Sequence, residues 1–310
     1  MSDVVVRPLV AGDLPAAERL FRLAFGTFLR LPDPSTFTGD AAFVRARFLA
    51  NPDGAFAALV ADDLVGSNFA TSWGSVGFFG PLSVHPERWD RGVGRKLLAP
   101  VLARFEEWGT RHLGLYTFAD SPKHVGLYGA HGFHPRFLTA VMTKTPAPSG
   151  STTWRPFSRR PDDGTLADCR EITDALYEGL DVTSEIRAIA THGFGDTVLV
   201  DDGDRVGAFA TCHVGPGTEA GSGTCFVKFG AVRPGHDAGA RFERLLDAVE
   251  AFAGMRAAGV VVAGTNLARE RAYRAMRGRG YRTMIQGVAM HRPNEAAYSR
   301  PDVYAIDDWR

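Results

Sequence analysis

Cysteine is scarce in this 310-residue sequence: Cys169, Cys212 and Cys225 are its only three, and all lie in the second half. An odd number without metal-ligand spacing excludes a disulfide framework or a zinc ribbon and fits a reducing compartment. Neither sign of charge is in surplus, because 35 Lys and Arg residues balance 35 Asp and Glu. No global field therefore draws the chain to nucleic acid or anionic lipid. Long apolar runs are missing too; none approaches the roughly 18 charge-free residues that span a bilayer. Asp3, Arg7, Asp13, Glu18 and Arg19 interrupt the first stretch, which argues against a signal peptide. These absences predict a cytoplasmic protein with no nucleic-acid or membrane partner, and they leave its oligomeric state unread.

A hydrophobic share of 45% is enough to build cores, and the length suggests two domains of about 150 residues. Texture breaks most sharply at Thr145 to Gly164, where Pro, Gly, Ser and Thr crowd together. We place a linker there, between domains 1–147 and 148–310. Upstream, the spacing predicts a strand at Val4 to Val6, then a helix from Asp13, its N-cap, to Phe25. A second helix, Asp40 to Ala50, leads into three extended segments, Ala55 to Ala61, Leu64 to Trp73 and Val76 to Val84. Helix Gly92 to Trp108, strand Leu113 to Phe118, helix Pro122 to His131 and strand Arg136 to Met142 follow. Strand and helix alternate only late, so the class is mixed α/β with a largely antiparallel sheet. The second half repeats this programme: Val84-His85-Pro86 recurs as Val232-Arg233-Pro234, and Gly132-Phe133 as Gly280-Tyr281, both 148 residues on.

The stretch Gly80 to Leu98 carries the chemistry, because it runs from a strand through a Gly-x-Gly turn straight into an amphipathic helix. Unpaired N–H groups and the positive end of the helix dipole converge there, and Gly92 and Gly94 let a phosphate approach the backbone. Arg91, Arg95 and Lys96 add positive charge. Taken alone, a Gly-x-Gly equally describes a tight turn. Leu97 stands where a dinucleotide-binding fingerprint needs a small residue.

Val84-His85-Pro86 followed by Trp89-Asp90-Arg91-Gly92-Val93-Gly94 resembles the Gln/Arg-x-x-Gly-x-Gly/Ala motif of the GNAT superfamily of acetyl-CoA-dependent N-acyltransferases. Trp89 departs from it, the expected Gln or Arg standing one residue early as Arg88. Leu127-Tyr128-Gly129-Ala130-His131-Gly132-Phe133 is similar to the family's Leu-Tyr-x-x-x-Gly-Phe signature. The resemblance implies two tandem GNAT-like domains and acetyl-CoA as co-substrate, with no metal. It further implies that backbone groups of Leu82, Ser83 and Val84 hold the pantetheine arm and that Asp90, Arg91, Gly92, Val93, Gly94 and Arg95 surround the diphosphate. Ser121 stands where the family often has an Asn that reaches the pantetheine, and Tyr128 would protonate the departing thiolate. His124 is a surface or packing residue before it is a proton relay. Asp33 and Asp120 are candidate bases that also suit solvated turns. Phe25, Phe28, Leu29, Phe69 and Trp73 offer either an aromatic acceptor lining or ordinary core.

The same offset carries Gly92 and Gly94 onto Ala240 and Phe242, and Tyr128 onto Met276, so the second copy is expected to be degenerate. Its arginines 269, 271, 274, 277, 279 and 282 read as a solvated helix face and the strand after it. The implied activity is acetyl transfer to a primary amine, on a small molecule or a peptide, by direct attack in a ternary complex. The rival is a non-catalytic CoA-sensing or scaffold protein of two pseudo-enzyme domains.

Overall fold

A computed structural model describes residues 4–147 and 152–310. In the first half, β1 (Val4–Pro8), α1 (Leu14–Phe28), α2 (Phe43–Ala50), β2 (Ala55–Val60), β3 (Asp63–Trp73) and β4 (Val76–Phe79) come first. Then follow β5 (Ser83–Val84), α3 (Val93–Glu107), β6 (His112–Thr117), α4 (Pro122–Gly129) and β7 (His134–Lys144). The second half contains β8 (Arg155–Pro156), α5 (Asp163–Leu176), α6 (Thr183–His192), β9 (Gly195–Asp202), β10 (Arg205–Gly215) and β11 (Gly221–Val232). It continues through α7 (Ala238–Met255), β12 (Val260–Asn266), α8 (Glu270–Gly278), β13 (Arg282–Arg292) and β14 (Ala305–Ile306).

Helix α1 forms because Ala17, Leu20, Phe21 and Ala24 recur at helical spacing, and these four are buried against the sheet. Asp13 makes no side-chain cap there; its carboxylate is taken by Arg7 at 2.7 Å and by the Val10 N–H at 2.9 Å. The expected strand Val76 to Val84 is broken. It leaves the sheet at Gly80, whose φ of +142° suits only glycine, and resumes as β5 beside β3. The expected linker is shorter than Thr145 to Gly164, since Arg155 and Pro156 pair with Leu199 and Val198 and Phe157 is buried. The 147/148 boundary falls at the edge of residues 148–151, outside the described residues.

The strands join into one 14-stranded sheet whose central order is β4-β6-β13-β7-β12-β11. The repeat is thus built by exchange. Strand β13, the copy of β7 at an offset of 148, lies antiparallel between β6 and β7, while β7 lies antiparallel against β12. Strands β7 and β13 therefore each complete the other half's sheet. The pairing Phe78↔Gly114 between β4 and β6 recurs as Phe226↔Val262 between β11 and β12, again 148 residues on.

A buried ion cluster also ties the halves. Arg47 on α2 donates to Glu219 from Nε at 2.9 Å, and Lys228 joins Glu219 at 2.6 Å and Glu185 at 3.0 Å. Glu219 lies in the β10–β11 connection, where the second copy grows longer than the first. That extra length docks on α2: the Ala42 N–H donates to the Thr218 carbonyl at 2.8 Å.

Candidate active site

Strands β4 and β6 run parallel from Val76↔His112 to Phe78↔Gly114, and then part as the chain turns at Gly80 toward β3. A cavity of about 590 Å³ opens at this fork. Its walls are Leu82 and Val84 of the displaced segment, residues 88–90 and 92–95 leading into α3, Leu127 and His124 of α4, and Phe25 and Phe28 of α1.

The loop is shaped by its backbone. Asp90 and Gly92 take positive φ, +61° and +78°, and Gly92 is the N-cap of α3 with no side chain capping it. A Cβ on Gly92 would meet nothing within 4 Å, and one on Gly94 would face Leu82 and Leu127 at 3.6 Å each. Hydrogen on these α-carbons thus keeps the helix amides open to the cavity, and Arg88 and Arg95 line the same space. An anion such as a diphosphate fits this donor set.

Trp89, the residue that breaks the motif, has a visible role. Its indole Nε1 donates to the Val84 carbonyl at 2.8 Å, which fixes the loop to the displaced strand. Lys123 lies 5.4 Å from the Trp89 ring centroid and 2.8 Å from the Asp90 carboxylate. Both side chains are largely exposed, so this is a solvent-screened surface pair.

Of the residues singled out in the sequence, Leu82, Val84, Asp90, Gly92, Val93, Gly94 and Arg95 meet on this cavity. Ser83 is buried in its pairing with Ser67, Arg91 is exposed, and Ser121 caps α4 by accepting from the His124 N–H at 3.4 Å. Tyr128, 7% exposed, packs edge-on against Phe79 at 5.7 Å, while Leu127 beside it faces the cavity. Burial raises the Tyr128 phenol well above its ordinary value, so it stays protonated. Phe25 and Phe28 line the cavity. Leu29 is exposed, and Phe69 and Trp73 are core residues, Trp73 lying 5.1 Å from Phe229 of β11. Ala24, Phe118 and Lys123 also line the site and were not singled out; Phe118, the first residue past β6, was legible only as the end of an apolar strand.

The matching fork of the second half is filled by the chain itself. Gly230 and Ala231, 148 residues on from Leu82 and Ser83, pair with Ile306 and Ala305 of β14. Tyr304 packs on Phe242 at 5.2 Å, where the first half has Gly94. Met276 is fully buried in the second core. A cavity of about 640 Å³ lies outside this plug, with Tyr304 in its wall. Arg269, expected to be solvated, is 1% exposed and ion-paired with Asp307 at 2.8 Å, and Arg279 is held by Glu243 at 3.0 Å. Arg271, Arg274, Arg277 and Arg282 are exposed.

Residues 17–133, which contain the whole of this fork and loop, match the acetyltransferase (GNAT) family. The stretch is a GNAT-type domain by this match. The whole chain has the tandem GNAT fold. It superimposes on a Pyrococcus horikoshii protein described as an acetyltransferase with a TM-score of 0.71 at 15% identity, over 99% of this chain and 95% of that one. A GCN5-related N-acetyltransferase from Sphaerobacter thermophilus gives 0.62 at 16% identity, over 93% and 95%. A tandem GNAT protein from the clavulanic acid biosynthesis pathway gives 0.57 at 14% identity, over 93% and 98%. At such identities the likeness is one of fold. No curated protein matches the sequence. Among the described residues, no helix is long and apolar enough to cross a membrane.

Proposed function

We propose that this protein moves an acetyl group from acetyl-CoA to a primary amine on a small molecule or peptide, with the chemistry in residues 1–147 and a degenerate, structural second domain. The single observation that carries the reading is the contrast between the two forks. One opens on a glycine-edged cavity, and its copy is occupied by β14.

Backbone groups of Leu82, Ser83 and Val84 would hold the pantetheine arm, and the amides at Gly92 to Arg95 the diphosphate, with Arg88 and Arg95 as mobile cations. The pantetheine delivers a thioester carbonyl whose developing charge needs a preorganised donor, and the free strand edge supplies one. Attack is direct, in a ternary complex. Tyr128, kept protonated by burial, gives its proton to the departing thiolate.

Calorimetry with acetyl-CoA and a mass-detected acetylation screen over amine classes test this reading. We expect binding by the wild type, and a fall of about 10² or more in turnover for Tyr128→Phe with unchanged acetyl-CoA affinity. Tight binding without turnover across the panel would instead favour the CoA-sensing scaffold.

A further inference from the structure

Amine acetylation needs a group that takes a proton from the attacking nitrogen, and the walls of the cavity narrow the choice. The carboxylate in the wall, Asp90, turns largely to solvent, where it pairs with Lys123 at 2.8 Å. Asp33 and Asp120 are not part of the wall; Asp33 is turned to its own loop, accepting from the Ser35 N–H at 3.0 Å and the Ser35 hydroxyl at 2.7 Å. The remaining polar side chains of the wall are the cations Arg88, Arg95 and Lys123, the Trp89 indole and the His124 imidazole.

His124 sits among aromatic rings, 4.9 Å from the Phe28 centroid and 6.3 Å from that of Phe118. Its Nδ1 is enclosed and has no hydrogen-bond partner among the described residues. At Nδ1, among the described residues, no carboxylate is there to hold the ring as an imidazolium. The charged groups that face it are Lys123 on its own helix and Asp90, Arg88 and Arg95 from the segment leading into α3; α1 and the end of β6 present the apolar Ala24, Phe25, Phe28 and Phe118. Burial first, and then the Lys123 charge, lower its pKa from the ordinary value, so the free enzyme presents a neutral imidazole at neutral pH.

Position on the helix supplies the second argument. His124 and Tyr128 stand four residues apart on α4, with β-carbons about 5–6 Å apart, His124 in the cavity wall and Tyr128 buried against Phe79. Nitrogen and sulfur leave a tetrahedral carbon in different directions. A proton acceptor and a proton donor one helical turn apart can serve the two without exchanging places.

We propose that His124 is the general base of the transfer, taking a proton from the acceptor nitrogen while Tyr128 serves the sulfur. The proposal rests on the acetyltransferase reading above. The nitrogen lone pair forms the C–N bond as the carbonyl π pair moves to oxygen, and the nitrogen, now positive and acidic, gives one proton to the imidazole. Collapse re-forms the carbonyl and breaks the C–S bond, and the thiolate takes the Tyr128 proton. The imidazolium proton returns to the phenolate through solvent, so the products are the amide and free thiol.

His124→Gln tests it, through the pH profile of kcat/KM on the best amine and through buffer imidazole as rescue. We expect a loss of about 10²–10⁴ in kcat/KM. The acid limb of the wild type, lying below the ordinary histidine value, should vanish, imidazole should restore part of the rate, and calorimetric acetyl-CoA affinity should stay within about threefold. A variant within about threefold of wild-type rate that keeps the acid limb reduces His124 to packing and overturns the proposal. Should no amine in the panel react, acetyl-CoA hydrolysis by the full chain takes its place, since water needs the same base; a hydrolysis rate indifferent to His124→Gln overturns the proposal alone. A wild type that fails to bind acetyl-CoA, or binds it with turnover of neither kind, overturns the acetyltransferase reading and this proposal with it.

Discussion

Two glycines divide the work of the loop before α3, and they should answer differently to one methyl group. Gly92 holds a left-handed φ of +78°, so Gly92→Ala should cost about 1 kcal/mol of stability. Gly94 lies within the helix, where a Cβ would stand 3.6 Å from Leu82 and Leu127 at an ordinary contact distance. Gly94→Ala should therefore melt close to the wild type yet weaken acetyl-CoA about tenfold or more by intruding on the cavity. Thermal melts beside calorimetry separate the two. The loop was legible in the sequence because glycine spacing encodes backbone conformation directly. The role of Trp89 was not, because its indole acts on the Val84 carbonyl across a turn that no periodicity describes. His124 was legible as a helical residue; its unpartnered ring nitrogen depends on Phe28, almost a hundred residues earlier.

Among the elements, β14 is the least visible in the sequence and the most consequential. It is two residues long, and its surroundings come from far away: Arg269 pairs with Asp307 in full burial, and the Trp309 ring lies where a Cβ on Gly114 would stand 2.3 Å away. Local pattern reads Arg269 as one more solvated arginine because its partner is 38 residues downstream. Arg269→Ala should cost about 3–5 kcal/mol in denaturant unfolding, since it strands a buried Asp307 whose pKa burial already raises. The double variant Arg269→Met, Asp307→Leu should recover most of that loss. Most helices and strands were readable from apolar spacing. The break in Val76 to Val84 was foreshadowed by Gly80-Pro81, but its new partner β3 was not.

At the scale of the molecule, the seam between the halves holds two neutral histidines. His112 Nε2 and His291 Nδ1 lie 3.0 Å apart, buried beside Trp309. Burial pushes His112 down to about 4, and burial with the His112 neighbour pushes His291 down to about 3. The unfolded chain titrates near 6.5, so it binds protons that the folded pair refuses. Their stability is complete above about pH 6.5 and drains as pH falls toward 4, by roughly 3 kcal/mol for His112. Chemical denaturation at pH 7.5, 6 and 5 should follow that slope, and His112→Phe with His291→Gln should flatten it between pH 6.5 and 5. The repeat that predicted two tandem folds was readable as a constant offset. The exchange of β7 and β13 was not, because two independent sheets and one merged sheet share the same strand pattern in the sequence.

That exchange separates the order of synthesis from the order of folding. Strand β6 finds its neighbour β13 about 170 residues later in the chain, so a nascent first half leaves the ribosome with β6 and β7 as bare edges. Until residue 292 emerges, those edges are open to the wrong partner, and the cell's chaperones have a window in which to act.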